Sequence, residues 1–101
     1  MRKYVKVLVE SERDKRVGNH SVKHYADSTY FRIDDERNNS FLVVGTTRVF
    51  SYHGNAICYV DDEMRQFWLT HAGWYTSSTT CALNGYREYF ESIGYKNMYE
   101  D

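Results

Sequence analysis

The apolar residues between positions 78 and 94 recur every three or four residues, which is the spacing of one face of an α-helix. They are Ala82, Leu83, Tyr86, Tyr89, Phe90 and Ile93. The short hydroxyl side chains at 77–80 are typical of the first turn of a helix, and a glycine at position 94 is typical of its end. The pattern therefore predicts a helix over residues 78–94.

The dipeptide Asn84-Gly85 lies inside this predicted helix although it is typical of a turn. An internal glycine costs about 1 kcal/mol relative to alanine. Six apolar residues in phase outweigh that cost, so we predict one continuous helix in which Gly85 allows close approach to a sheet. The alternative is a break at Gly85 and a shorter helix that begins at Tyr86.

The first part of the chain carries the patterns of strands. Residues 3–10 alternate valines with polar side chains, which predicts a first strand. Residues 11–18 are densely charged and predict a solvated loop, whereas 19–27 fit neither a helix nor a strand well. The β-branched and aromatic residues 29–33 predict a second strand, which ends in a polar turn at 34–40.

Strand and turn patterns then alternate as far as position 70. The predicted strands are 41–52 with a bulge at Gly45, 56–60 and 65–70, and the predicted turns are 53–55 and 61–64. Because the strands precede the helix and have short connections, we predict a single α+β domain over residues 1–101, an antiparallel β-meander packed on one C-terminal α-helix. Residues 95–101 either add an edge to the sheet or fray.

Composition narrows the class of protein. Ten tyrosines, five phenylalanines and two tryptophans predict a core and interfaces rich in rings. The 13 basic and 14 acidic residues give a net charge of −1, so no overall field favours nucleic acid or an anionic membrane. The chain contains no apolar run of membrane-spanning length, and its first residues lack the apolar core of a signal peptide. We therefore expect a cytoplasmic protein.

The cysteines and histidines offer two kinds of site. His20 and His24 with Cys58 and Cys81 have the chemistry of a zinc site, but the cysteines are isolated in sequence. We favour surface histidines and reduced, packed cysteines, and we expect no metal and no other cofactor.

Cys58 or Cys81 with His53 or His71 has the composition of a nucleophile and base. Cys81 is the better candidate, because the first turn of a helix lowers the pKa of a thiol. No residue that would orient such a base is identifiable, so we favour structural cysteines and predict no enzymatic activity. The hydroxyl run at 76–80 is suited to binding an anion, but helix capping explains it sufficiently.

Short motifs in the second half of the chain resemble those of a family of proteins. Ser51-Tyr52, then Ala56-Ile57, and finally Ser77-x-Thr79-Thr80 at a helix start are similar to the S-Y-x-T-P-I-A and S-x-T-T motifs of small uncharacterised proteins encoded by bacteriophages and other mobile elements. The resemblance implies a small intracellular phage protein without established activity. Such proteins often bind a host component, including host defence machinery.

Our leading hypothesis is a non-enzymatic binding protein that acts through a surface for a host protein. Aromatic residues are enriched at the cores of such surfaces, and Trp68, Trp74 and Tyr75 flank the turn predicted at Gly73. We therefore predict that these three residues contact the partner, with core packing as the alternative for Trp68. The sequence leaves a monomer and a homodimer open.

The alternative hypothesis is a nucleic-acid-binding module. Arginines and rings are interleaved on the predicted strands, as on platforms that stack bases. These residues are Tyr30, Phe31, Arg32, Arg48, Phe50 and Tyr52.

Overall fold

The computed structural model describes residues 2–34 and 40–100. These residues form two helices and six strands. In chain order they are α1 (Lys3–Glu10), β1 (Lys15–Val17), β2 (His20–Asp34), β3 (Ser40–Tyr52), β4 (Asn55–Asp61), β5 (Gln66–Leu69), α2 (Ser77–Ser92) and β6 (Lys96–Glu100). Part of the polar turn predicted at 34–40 lies outside the described residues.

The strands form one sheet in the order β1-β2-β3-β4-β5-β6. Each neighbouring pair from β1 to β5 is antiparallel, which confirms the predicted α+β class and a meander in this part of the sheet. The last strand, β6, pairs parallel with β5, so the sheet as a whole is mixed. The reason is α2, which carries the chain back past the sheet before β6 begins, as parallel pairing requires.

The first element corrects the prediction, because residues 3–10 form a helix instead of a strand. Val5, Val7 and Val9 alternate, but Val5, Leu8 and Val9 are also spaced as one helical face, and these three are the buried ones. An isolated helix of 8 residues is not stable in water, so burial against the rest of the protein decides its conformation.

The next segment also differs from its prediction. Residues 15–17 of the predicted loop form β1, which turns at Gly18 and pairs with the start of β2. The ambiguous segment 19–27 and the strand predicted at 29–33 join into the single strand β2. The local sequence pattern does not decide the conformation of these residues, and their pairing with neighbouring strands stabilises the extended one.

The predicted strands and turns from β3 to β5 are confirmed. β3 continues through Gly45, whose φ of +81° suits glycine, and a Cβ placed there would lie 2.5 Å from the Asp61 carboxylate. His53 and Gly54 both have positive φ in the tight turn before β4. β4 and β5 pair antiparallel, as predicted.

The predicted second helix is confirmed as continuous through Gly85. Gly85 itself faces α1 and not the sheet, which corrects our expectation, because a Cβ on Gly85 would lie 2.9 Å from Cγ2 of Val5. The helix is capped by Thr76, whose side-chain oxygen accepts a hydrogen bond from the amide of Thr79. Gly94 follows with φ of +89°, as expected at a helix end.

The sheet packs on the C-terminal helix α2, as predicted, and α1 adds a second helix to the same hydrophobic core, which the sequence pattern did not predict. Rings from the sheet and α2 interleave there, with Phe50 4.6 Å from Tyr86 and Phe67 5.5 Å from Phe90 between ring centroids. A second, smaller cluster contains Ile33, Val49 and Tyr59, with Trp68 packed against it. Because successive side chains of a strand point to opposite faces, this cluster lies on the other face of the sheet.

A hydrogen-bond network around one ion pair connects four parts of the fold. Two guanidinium nitrogens of Arg48 donate to the Asp62 carboxylate at 2.8 and 2.6 Å, and the third donates to the carbonyl of Val9 at the end of α1. Thr47 and the Tyr95 hydroxyl also donate to Asp62, at 2.6 and 2.7 Å. The network therefore connects β3, the turn before β5, α1 and the segment after α2.

Burial by itself raises the pKa of Asp62, but the hydrogen bonds from Arg48, Thr47 and Tyr95 and the guanidinium charge outweigh it. The net result is that the pKa of Asp62 lies below its ordinary value of 3.8. The charged carboxylate therefore stabilises the folded state.

The two helices have 8 and 16 residues. Within the described part of the chain, neither helix has the length and apolar character needed to cross a membrane.

We predict that the effect of Gly85→Ala on the free energy of unfolding changes sign with the residue at position 5. Alone it destabilises the protein by about 1 kcal/mol, because the clash with Val5 exceeds the gain in helix propensity. In a Val5→Ala background the same change stabilises by up to about 1 kcal/mol. Urea denaturation of the four proteins measures both effects, and equal effects in the two backgrounds would contradict the contact.

We predict that Asp62→Asn lowers the free energy of unfolding at pH 7 by about 1–2 kcal/mol, since charged hydrogen bonds are lost at a partly exposed site. Because the folded-state pKa lies below 3.8, the stabilisation exists above that pH and is lost as pH falls further. The difference between wild type and variant should therefore narrow from pH 5 to pH 2 in urea titrations. Glu63→Gln, an exposed change in the same turn, is the control, and equal effects of the two variants at pH 7 would disprove the role of Asp62.

Candidate binding groove

Three rings from different elements stack beside the start of α2. The His20 ring lies between Tyr4 of α1 and Tyr52 of β3, with centroid distances of 3.7 and 4.4 Å and interplanar angles of 11° and 15°. The His53 ring continues the series at 4.3 Å from Tyr52. The stack joins the first turn of α1 to the sheet.

His20 is held neutral by its position in this stack. Its Nδ1 atom is buried and has no hydrogen-bond partner among the described residues. Burial, together with the charge of His53, lowers the pKa of His20 from its ordinary value of 6.5. A neutral ring is therefore the stable form at neutral pH.

A groove made of three adjoining depressions runs along the first turns of α2. The first, which we name the Trp74 cleft, has a volume of about 410 Å³ and is lined by residues that include Tyr52, His53, Asn55, Trp74, Ser78 and Thr79. The second, the Cys81 pocket, shares Tyr52 and Ser78 with it. The third shares Arg2 and Cys81 with the second, so the three form one continuous surface.

The predicted partner residue Trp74 lines the Trp74 cleft and follows a turn in which Ala72 and Gly73 have positive φ. The next residue, Tyr75, is not among the residues that line the groove and stacks on His71 at 4.4 Å. The side chains of Trp74 and Tyr75 are 57% and 52% exposed.

The structure does not bring Trp68 together with the other two predicted residues. Trp68 is opposite Tyr59 in the pairing of β4 with β5 and is partly buried against the second hydrophobic cluster. Its neighbours Phe67 and Leu69 face the helices, so Trp68 faces the other way. A contact between Trp68 and a partner stays a prediction, but it would involve the opposite face.

The hydroxyl run at the start of α2 acts as a cap. The Thr79 amide donates to Oγ1 of Thr76 at 3.2 Å, and the Thr80 amide donates to the Thr76 carbonyl at 3.0 Å. The first bond satisfies an orphan amide of the first turn, and the second is the first regular hydrogen bond of the helix. Anion binding there is not needed to explain the sequence.

The two cysteines differ in environment. Cys58 is fully buried in the core, and burial raises the pKa of its thiol far above the ordinary value, so it is inert. Cys81 is partly exposed and lines the groove. The histidine that lines the same pocket is His20, and not His53 or His71, with which the sequence analysis had paired Cys81.

The histidines considered as metal ligands serve separate contacts. His20 is part of the ring stack, whereas Nδ1 of His24 lies 3.3 Å from the Asp14 carboxylate and its Nε2 lies 3.0 Å from the Ser11 carbonyl. Within residues 2–34 and 40–100, no three His, Cys, Asp or Glu side chains are placed to hold a metal ion.

The residues predicted to stack nucleic acid are split by the fold. Phe50 is completely buried, and Arg48 is bound by Asp62 and lies near the Phe50 and Phe90 rings. Tyr30 is 67% exposed on the outer part of β2, far along the strand from His20. No single platform of the six predicted residues therefore exists.

No protein-family model matches the chain, and no curated protein or solved structure matches it significantly either. The assignment of this groove rests on its own geometry.

Sequence reasoning missed two residues of the groove, Arg2 and Tyr4. They were overlooked because residues 3–10 were interpreted as a strand. The spacing of Tyr4, Val5 and Leu8, read as a helical face, was the signal that would have placed them beside α2.

We predict that His20 titrates below pH 6.5 when its ring signals are followed by NMR. Since the unfolded state then binds the proton more readily, folding stability should fall as pH falls below about 6.5. His20→Phe retains a stacked ring without the titration, so its stability should fall less over the same range. A His20 pKa at or above 6.5 would contradict the buried, neutral ring.

Proposed function

We propose that this chain is a non-enzymatic binding protein that holds a protein partner at the groove and at the adjoining Trp74 and Tyr75 side chains. One observation carries the proposal: Trp74, whose side chain is 57% exposed, lines a cleft of about 410 Å³, and the next residue, Tyr75, is 52% exposed. Burial of exposed apolar area by a partner is energetically favourable, and exposed aromatic patches are characteristic of interaction sites.

The chemistry of the strongest polar groups supports a role without catalysis. Arg48 and Asp62 bind each other and connect elements of the fold. The Cys58 thiol is shut in the core. These groups have structural explanations, whereas the exposure of Trp74 has none within the monomer.

The resemblance to small phage proteins extends the proposal to the partner. Three of the residues that carry the resemblance line the groove: Tyr52 and Thr79 line the Trp74 cleft, and Ser77 lines the Cys81 pocket. We propose a phage-encoded protein that acts in the host cytoplasm on a host protein, such as a component of defence machinery.

A nucleic-acid partner is the second candidate function, and the exposed Tyr30 is the observation that favours it. This function would use the part of β2 around Tyr30, which is distant along the strand from His20 at the groove. Variants of the two surfaces therefore separate the two functions.

We predict that Trp74→Ala reduces partner retention about thirtyfold in pull-downs from bacterial lysate, since loss of a central aromatic residue typically costs roughly 2 kcal/mol. Tyr75→Ala should have a smaller effect because Tyr75 is already stacked on His71. Binding should survive nuclease treatment.

Tyr30→Ala is the matched control, an exposed ring removed from a different surface. It should retain the partner fully. Retention that disappears with nuclease or with Tyr30→Ala, while Trp74→Ala has no effect, would reject the proposed function in favour of nucleic-acid binding.

A further inference from the structure

The groove carries positive and neutral groups over most of its length. Arg2 and His20 line the Cys81 pocket and His53 lines the Trp74 cleft, and none of the described Asp or Glu side chains lines either depression. Glu88 lines the third depression, at the far end of the groove. The part of the groove next to Trp74 is therefore complementary in charge to an anionic ligand, although the whole chain has a net charge of −1.

The walls of the Trp74 cleft are flat and partly apolar. The Trp74, Tyr52 and His53 rings supply stacking or edge-to-face contacts, while Asn55 and Ser78 supply hydrogen-bonding groups. A volume of about 410 Å³ is within the usual range of protein ligand pockets. The cleft is suited to one inserted ring with a polar backbone beside it.

An anionic ligand of this groove is either a nucleic acid or an acidic protein segment. The number of positively charged side chains in the groove distinguishes between them. Nucleic acid binding at physiological salt depends on several Lys or Arg contacts to phosphates. Among the described residues that line the two depressions nearest Trp74, Arg2 is the one Lys or Arg side chain. A single arginine is sufficient to orient a carboxylate but not to follow a phosphate backbone.

We propose that the groove binds an acidic segment of the partner protein, which inserts one aromatic side chain into the Trp74 cleft and places a carboxylate near Arg2. The inference rests on the proposed function and adds the chemistry of the segment. The aromatic side chain supplies most of the buried area, and the charge selects the segment and its direction along the groove.

Synthetic peptides test this inference directly. The probes are a fluorescein-labelled peptide of ten residues rich in Asp and Glu with one central Phe, the same peptide with Ala for Phe, and the same peptide with Lys for each acid. Anisotropy gives the affinities. Occupation of the cleft is reported by the change in tryptophan emission that is absent in Trp74→Phe, where Trp68 is the remaining tryptophan. The acidic Phe peptide should bind roughly tenfold or more tightly than either of the others, and less tightly as salt is added.

Charge reversal locates the binding site. Arg2→Glu should weaken the acidic Phe peptide at least about fivefold, whereas Lys15→Glu, a change at an exposed lysine on β1, should not. The inference is overturned if the acidic Phe peptide does not bind, if the Lys peptide binds equally well, or if a single-stranded oligothymidine binds more tightly. Equal effects of the two charge reversals would also reject it.

The pull-down distinguishes this inference from the proposed function. Suppose that Trp74→Ala loses the partner, Arg2→Glu retains it and the acidic Phe peptide does not bind. The proposed protein-binding function is then supported, and the inference of an acidic segment is wrong. If Trp74→Ala retains the partner, the proposed function itself fails.

Discussion

The docking of α1 onto α2 is the contact on which the rest of the structure depends. Val5 is completely buried and lies where a side chain at position 85 would have to be, so only a glycine lets the two helices approach this closely. A helix of 8 residues exists here because this contact and the sheet bury Leu8 and Val9. The same contact brings Arg2 and Tyr4 to the Cys81 pocket, where Cys81 lies on α2.

The other end of α1 is fixed by polar contacts. Arg48 donates to the carbonyl of Val9, while its remaining nitrogens hold Asp62. A carbonyl at a helix end has no partner within the helix, so the guanidinium satisfies a group that would otherwise need water. Apolar packing thus secures the start of α1 and an ion pair secures its end, which keeps the ring stack of Tyr4, His20 and Tyr52 in place.

The candidate site was only partly predictable from the sequence. Trp74 was predicted because a large ring beside a glycine turn has little chance of burial, and the structure leaves it exposed. Trp68 has the same chemistry, yet it lies on a strand whose alternation turns it to the other face. Arg2 and Tyr4 were missed because their place beside α2 depends on a helix that the valine pattern concealed.

The sequence by itself determined the elements whose signals are local. The hydroxyl cap, the apolar spacing and Gly94 defined α2, and the turn residues and Gly45 defined the strands from β3 to β5. Tertiary structure alone decided that residues 3–10 are helical and that β6 runs parallel to β5. The physical reason is that residues 3–10 satisfy both the two-residue and the 3.6-residue period, so the conformation that buries most apolar surface against distant residues prevails.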